Sequence, residues 1–553
     1  MCFARKIAGM HHGSLTHRVV NQTPPLPDFN LFQEDLGLRE AVEREGLTGA
    51  VPALVAAGAA LGQASLREQA ALANRHTPTL STFNAQGERV DRVDFHPAWH
   101  ALMQGIAERG YHSGPWAGSS SHAARAAGYF MQAQVECGTL CPTTMTYGGI
   151  ASLRRDPQLA RSWVPTLLSR AYDPADVPLA HKRGGLIGMG MTEKQGGSDV
   201  RANTTRATRN ADRSYCITGH KWFFSAPQCD AHLVLAQSEG GLSCFFLPRR
   251  LPDGSLNGIY LQRLKDKLGN RSNASAEVEF LEAWGQLLGE EGRGVSTILE
   301  MGTFTRLDCV TGSAGMMRQA LTLVMHHARH RRAFGALLVE QPLMQSVLAD
   351  LAIESEAATA LCIRLARAFD SDAAGETALR RVLTAAAKFW VCKRGIEFAA
   401  EAMEVLGGNG YTEELPLARI FREMPVNSIW EGSGNIMCLD VLRALAKPGN
   451  AAALCAELSA ALHLDRHFDA AFESFTARLE AALEERDGRA LAQQLVTLVQ
   501  GALLLKAAPN SGATAVAEAF CATRLNRQAH WGAVFGSTPI AGRESILARA
   551  APQ

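Results

Sequence analysis

Residues 275–280 read Ser-Ala-Glu-Val-Glu-Phe, and Ala276, Val278 and Phe280 alternate strictly with Ser275, Glu277 and Glu279. A period of two places the apolar side chains on one face and the polar ones on the other. That pattern marks a half-buried antiparallel strand and does not suit a helix. The strand lies in a chain whose patterning is otherwise helical, from Leu31 to about Arg183 and again from Gly294 to about Leu445. Four more runs have strand character: Tyr215–Thr218, His232–Ala236, Cys244–Leu247 and Ile259–Leu264. Turn residues separate them, so a small barrel or sandwich between helical blocks is expected. The fold class is α+β, mainly α.

At 553 residues the chain exceeds one core. Expected boundaries are an extended arm over 1–30, a helical domain over 31–185, a β-barrel over 186–292, a helical bundle over 293–447 and an extra helical domain over 448–553. The arm is rich in proline and polar residues from Asn21 to Asn30, and Pro448-Gly449-Asn450 breaks the bundle from the tail. In the tail, Glu473–Leu491 is amphipathic and Leu495–Leu505 strongly apolar. The basic and acidic totals, 55 and 54, give no overall field that points to nucleic acid or membrane. The twelve cysteines are scattered singly, without redox or zinc spacing, as expected of free thiols in a reducing compartment. No apolar run follows Arg5 and Lys6, so a secretory signal is not expected and the location is expected to be cytoplasmic.

Glu431 stands in Ile429-Trp430-Glu431-Gly432-Ser433. Apolar neighbours desolvate a carboxylate, raise its pKa and improve it as a general base near neutral pH. Gly432 permits close approach of a ring or backbone. Met191-Thr192-Glu193-Lys194-Gln195-Gly196-Gly197-Ser198 is a thin loop with paired glycines and hydroxyls, able to offer donors to a phosphate or a ring edge. His220–Ser225 follows on the next strand pair. One of Phe223 and Phe224 is expected in the core and the other against a planar cofactor, with Ser225 donating to a ring nitrogen. The basic run from His326 to Gly335 is placed on a helix. Its arginines suit a diphosphate clamp. No carboxylate or cysteine completes a metal set with its histidines, so no metal is expected.

With Phe95–His100, Gly138–Thr143, Lys265–Ser275, Ala402–Gly410 and Met424–Leu445 added, these motifs resemble the acyl-CoA dehydrogenase superfamily. Within it they most resemble the AidB-type flavoproteins of the adaptive response to DNA alkylation. The resemblance spans roughly residues 17 to 550. It implies non-covalent FAD and Glu431 as catalytic base. It places Met189, Met191, Thr192, Gly197, Ser198, Phe223, Phe224 and Ser225 at the flavin, and Trp430, Gly432, Ser433 and Asn435 around the base. Arg331, Phe334, Gln341, Glu404, Gly407 and Gly408 would reach the FAD of a neighbouring subunit, which implies an oligomer, a dimer of dimers in the family.

Two departures concern acyl-CoA binding. Thr303 stands where family members place an Asp against the pantetheine, and Trp430 is larger than a common Tyr. The resemblance assigns the tail to duplex DNA, through Arg443, Arg524, Arg527 and Arg543, with Arg549 on the same face. Yet residues 451–553 carry nine Lys and Arg against ten Asp and Glu, which favours few phosphate contacts. Three functions stay open: an AidB-type DNA-binding flavoprotein with weak acyl-CoA dehydrogenase activity, a metabolic enzyme for short branched acyl-CoA, and a DNA-binding scaffold with a structural flavin.

Overall fold

Alternation in the middle of the chain produces the expected strands, Ile259–Leu264 with the same bounds as its sequence run and the others longer. The computed structural model describes residues 19–481, 483–507, 513–526, 534–535, 537 and 540–551. The central strands are β3 (Ile187–Gly190), β4 (Arg206–Arg209), β5 (Tyr215–Ser225), β6 (Ala231–Ser238), β7 (Gly241–Pro248), β8 (Ile259–Leu264) and β9 (Ser275–Leu288), after the two strands of an earlier hairpin, β1 (Thr79–Phe83) and β2 (Arg89–Asp94). Pairing runs β6-β4-β5-β9-β7, and β7 pairs back with β6, so five strands close into a barrel. β3 joins β6 in parallel and β8 lies beside β9. The interior holds Phe224, Val234, Phe245, Leu261, Val278 and Phe280, all buried. The alternating Ala276, Val278 and Phe280 are among its members, and Glu277 and Glu279 face outward.

Three sequence expectations change. The hairpin β1–β2 interrupts the first helical tract, and Arg89 reaches from it over the Tyr260 ring at 4.6 Å, docking it on the barrel. His220–Ser225 continues β5 and does not begin a new strand. The basic helix stops at His330. Arg332–Ala333 and Ala336–Leu337 then form a small hairpin, with Phe334 and Gly335 at φ 51° and 83°. Two central residues at positive φ match the right-handed twist of a two-stranded ribbon.

A 37-residue helix, Gly294–His330, runs through the bundle and is buried almost continuously from Leu307 to Met325. It packs on Leu140–Leu153, Pro342–Arg367 and Ala374–Leu406. The tail is continuous with this core. Its apolar helix Gly488–Ala507 packs on Pro342–Arg367 and Ala374–Leu406. Residues 485–507 are long and apolar enough to cross a bilayer, but 72% of the apolar window lies inside the fold. The amphipathic run Glu473–Leu491 is not one helix: a 3-10 turn at Glu485–Asp487, capped by Asp487 on the Glu484 N–H at 3.0 Å, divides it.

The expected DNA contact Arg524 is a correction. Its guanidinium is buried against Asp350 and Glu354, with Nε to Glu354 Oε2 at 3.1 Å. Arg549 is likewise buried between Glu40 and Glu356. Removing these arginines from water requires carboxylate partners, and the partners leave no charge for phosphate. Arg543 donates to Ser346 Oγ at 2.8 Å, Arg443 is exposed, and Arg527 lies outside the described residues.

Candidate active site

The helix Leu417–Ile429 ends just before Glu431, and a new helix begins at Gly434. Between them Glu431 and Gly432 take φ 58° and 105°. A glutamate in this region carries strain of about 1–3 kcal/mol, so other bonds must hold it. Arg306 Nε donates to the Glu431 carbonyl at 2.9 Å, while Lys388 donates to the carbonyls of Gly432 and Asn427 at 2.8 and 2.9 Å. Arg306 is itself held by Asp440 at 3.1 Å. The carboxylate therefore projects from a clamped reversal of the chain. Thr305 Oγ1 donates to Glu431 Oε2 at 2.6 Å. Burial pushes the Glu431 pKa above the usual carboxylate range, against the opposing pull of Thr305, Arg306 and Lys388. Of these three clamping residues, neither Thr305 nor Lys388 was found by the sequence reading, and Arg306 entered it only as the arginine three residues after Thr303. They lie 126, 125 and 43 positions away, with no local signal.

Trp430 donates to Asn427 Oδ1 at 3.0 Å and packs, with Met189 and Met191, on a buried cluster that includes Cys141, Met145 and Met301. Cys141 feels both Glu431 and Lys267 and faces Ser225. The structure thus brings the base, β3 and the end of β5 to one place.

The loop Met191–Ser198 is built on a buried ion pair. Lys221 Nζ lies 2.7 Å from Glu193 Oε1, and both side chains are fully excluded from solvent. Glu193 also accepts from the N–H groups of Thr204 and Thr205. Lys221 and these bonds outweigh desolvation and hold Glu193 well below the usual range. Burial pulls Lys221 down to about 8. Trp222 N donates to Thr192 O at 2.9 Å, tying the loop to β5. A Cβ on Gly197 would meet Thr192 Oγ1 at 2.4 Å. Gly197 and Ser198 are exposed.

Phe223 is 51% exposed on β5, whereas Phe224 is inside the barrel. The Phe224 side chain, expected at a cofactor, instead packs against His232 with ring centroids 4.3 Å apart. An exposed aromatic face beside the Ser225 hydroxyl, itself 3.1 Å from Ser275 Oγ, and an open glycine turn fits a planar ring with an attached phosphate chain. Lys265 sits over Trp222 and Phe223, at 3.4 and 4.8 Å from the ring centroids. FAD bound here would be held by the Met189–Ser198 loop and the Phe223–Ser225 edge.

The other expected contacts lie elsewhere. Thr305 and His330 are 25 residues apart on one helix, or about 38 Å at 1.5 Å per residue. Arg331, Phe334 and Gln341 are therefore not brought to Glu431 within one chain. Arg331 and Arg332 instead meet Asn21 of the extended arm, and Gln341 Nε2 donates to Ala333 O at 2.8 Å. Phe334 is wholly exposed. Glu404, Gly407 and Gly408 are exposed at the end of the Ala374–Leu406 helix. Lys388 on that helix is 16 residues from Glu404, about 24 Å. Ser433 precedes the next helix, and Asn435 Oδ1 accepts from Arg489 at 2.8 Å. Among the described residues no cluster of His, Cys, Asp and Glu could hold a metal.

A barrel between helical blocks, with a buried base beside an aromatic edge, defines a flavin-dependent dehydrogenase. Residues 21–174 match the adaptive response protein AidB N-terminal domain, 188–283 the acyl-CoA dehydrogenase middle domain and 292–446 its C-terminal domain. The chain is 52% identical over 517 residues to AidB of Escherichia coli (strain K12), covering 92% of this chain and 95% of that one. ACDH-11 of Caenorhabditis elegans, solved in complex with C11-CoA, superposes with a TM-score of 0.84 at 26% identity, over 94% of this chain and 95% of that chain. An acyl-CoA dehydrogenase of Bacillus anthracis complexed with FAD shares the fold, with a TM-score of 0.65 at 18% identity and 82% coverage of each chain. The chain belongs to the acyl-CoA dehydrogenase family, in the group that carries the AidB N-terminal domain. It is accordingly an FAD-dependent oxidoreductase acting on CH–CH bonds.

Proposed function

We propose that the protein dehydrogenates a restricted set of acyl-CoA thioesters with Glu431 as base, and that it serves the response to DNA alkylation. The observation that carries the first part is the clamped, desolvated carboxylate of Glu431, which meets Cys141 together with the Ser225 end of β5. Glu431 removes the proton α to the thioester carbonyl. FAD supplies the acceptor for the hydride from the β-carbon. Trp430 narrows the space at the base. Thr303 spends its hydroxyl on Leu299 O at 2.9 Å, and Arg306 is committed to Asp440 and to the Glu431 carbonyl, so neither replaces the missing Asp at the pantetheine. Turnover is therefore slow. Anaerobic flavin reduction by a panel of acyl-CoA thioesters tests this reading, with Glu431→Gln expected to slow it by about 10²- to 10⁴-fold. Equal rates in parent and variant would remove the assignment.

Kinship with AidB and the match to an adaptive-response domain support the DNA role. With Arg524 and Arg549 committed to carboxylates, contact rests on few groups, Arg443 and Lys447 among the exposed ones. Binding to duplex DNA is then modest, independent of sequence and lost early as salt rises. Arg443→Ala is expected to flatten the salt dependence of gel retardation at unchanged FAD content. No retardation by the full chain at low salt would end the DNA reading. The working form is a dimer of dimers in the cytoplasm, a reading supported by the exposed Phe334 and by the eleven cysteines of the described residues, all free thiols.

A further inference from the structure

Three side chains at the Ser225 end of β5 form a chain of hydrogen bonds that the dehydrogenation mechanism above does not use. Lys267 Nζ donates to Asn273 O at 2.7 Å and to Ser275 Oγ at 3.0 Å. Ser275 and Ser225 are register partners on β9 and β5, and their Oγ atoms lie 3.1 Å apart. An ammonium has donors and no acceptor. While Lys267 is charged, Ser275 must accept from it. The single Ser275 proton then points to Ser225, and the Ser225 proton turns out of the chain, where the Cys141 sulfur is a weak competing acceptor. A neutral amine has a lone pair and permits the reverse order, in which Ser225 donates to Ser275 and offers a lone pair outward.

We propose that Lys267 is a positioning residue that acts through Ser275 to fix Ser225 as a hydrogen-bond donor toward the reactive edge of the flavin. This rests on the reading that FAD lies along Phe223–Ser225. A donor at that edge makes the oxidised ring a better hydride acceptor. The groups facing Lys267 are Cys141 from the Leu140–Leu153 helix and Glu423 from the Leu417–Ile429 helix, itself close to Glu136. Its own loop adds Lys265, paired with Glu277, together with Asp266 and Arg271. Burial lowers Lys267 to about 8, against the upward pull of Cys141 and Glu423. Burial raises the Cys141 thiol to about 12, so it keeps its proton while Lys267 titrates.

The test is a dye-equilibrated redox titration of the FAD-bound full chain, with parent, Lys267→Met, Lys267→Arg, Ser225→Ala and the Lys267→Met/Ser225→Ala double variant. Lys267→Met is expected to shift the flavin about tenfold toward the oxidised form, about 30 mV lower for a two-electron couple. Lys267→Arg keeps the parent potential. The parent is expected to lose potential faster than Ser225→Ala as pH rises through about 8, and Lys267→Met to have no effect in the Ser225→Ala background. A Lys267→Met potential equal to the parent's, or an equal shift with Ser225 absent, would overturn the relay. FAD content and thermal midpoint report folding. If Lys267→Met does not fold, the pH comparison of parent with Ser225→Ala decides, since parallel profiles overturn the relay. A parent that binds no FAD would overturn the site reading and this inference with it.

Discussion

At the scale of single residues, Glu431 shows how far a local string reaches. Ile429 and Trp430 announce a desolvated carboxylate, but the set of groups that tune it comes from two other helices. Thr305 lowers the Glu431 pKa while burial raises it. The base works only without its proton, so flavin reduction is expected to fall as pH drops through an apparent pKa above 4.5, the ordinary glutamate value. Thr305→Val removes a bond to the ionised form and should move that acid limb to higher pH. Stopped-flow reduction across the acid range checks both. An unmoved limb in Thr305→Val would count against the assignment. Arg524 carries the opposite lesson. An arginine in a short polar string reads as a surface cation, and only the fold supplies Asp350 and Glu354, 174 and 170 positions away.

At the scale of elements, strands with clear alternation or long apolar runs were legible, and β3 and β4, four residues each, were not. The β1–β2 hairpin was missed because its exposed and half-buried residues do not alternate cleanly. The loop after β3 was found from its glycines, but its foundation was not, since Glu193 and Lys221 are 28 residues apart. A lysine beside three aromatics in a strand was the available signal. Lys221→Met leaves the Glu193 carboxylate buried and unpaired, and is expected to cost about 3–5 kcal/mol. Glu193→Gln added to it should recover part of the loss, as read by thermal unfolding and FAD retention. A double variant no more stable than Lys221→Met would deny the pairing. Because Glu193 has a depressed pKa, its stabilising contribution is present above the unfolded glutamate pKa and is lost as acid brings pH down toward the folded value.

For the whole molecule, the tail is part of one core, stapled by Arg524 and Arg549. Arg524→Ala is expected to destabilise the chain by about 3–5 kcal/mol, with any loss of DNA retardation following unfolding. A normally stable variant would contradict that. Phe334→Asp should lower native mass and FAD retention together, measured by size-exclusion chromatography with flavin absorbance, and unchanged values of both would remove Phe334 from assembly. The helix Gly294–His330 carries Thr305 near its start and delivers the Phe334 hairpin at its end. It is a crankshaft with a fixed pitch. Each residue inserted between those points would rotate one end by about 100° against the other and lengthen the shaft by about 1.5 Å. The setting of Thr305 against Glu431 and the direction in which the Phe334 hairpin points are thereby geared together, so a change in the length of this segment alters both.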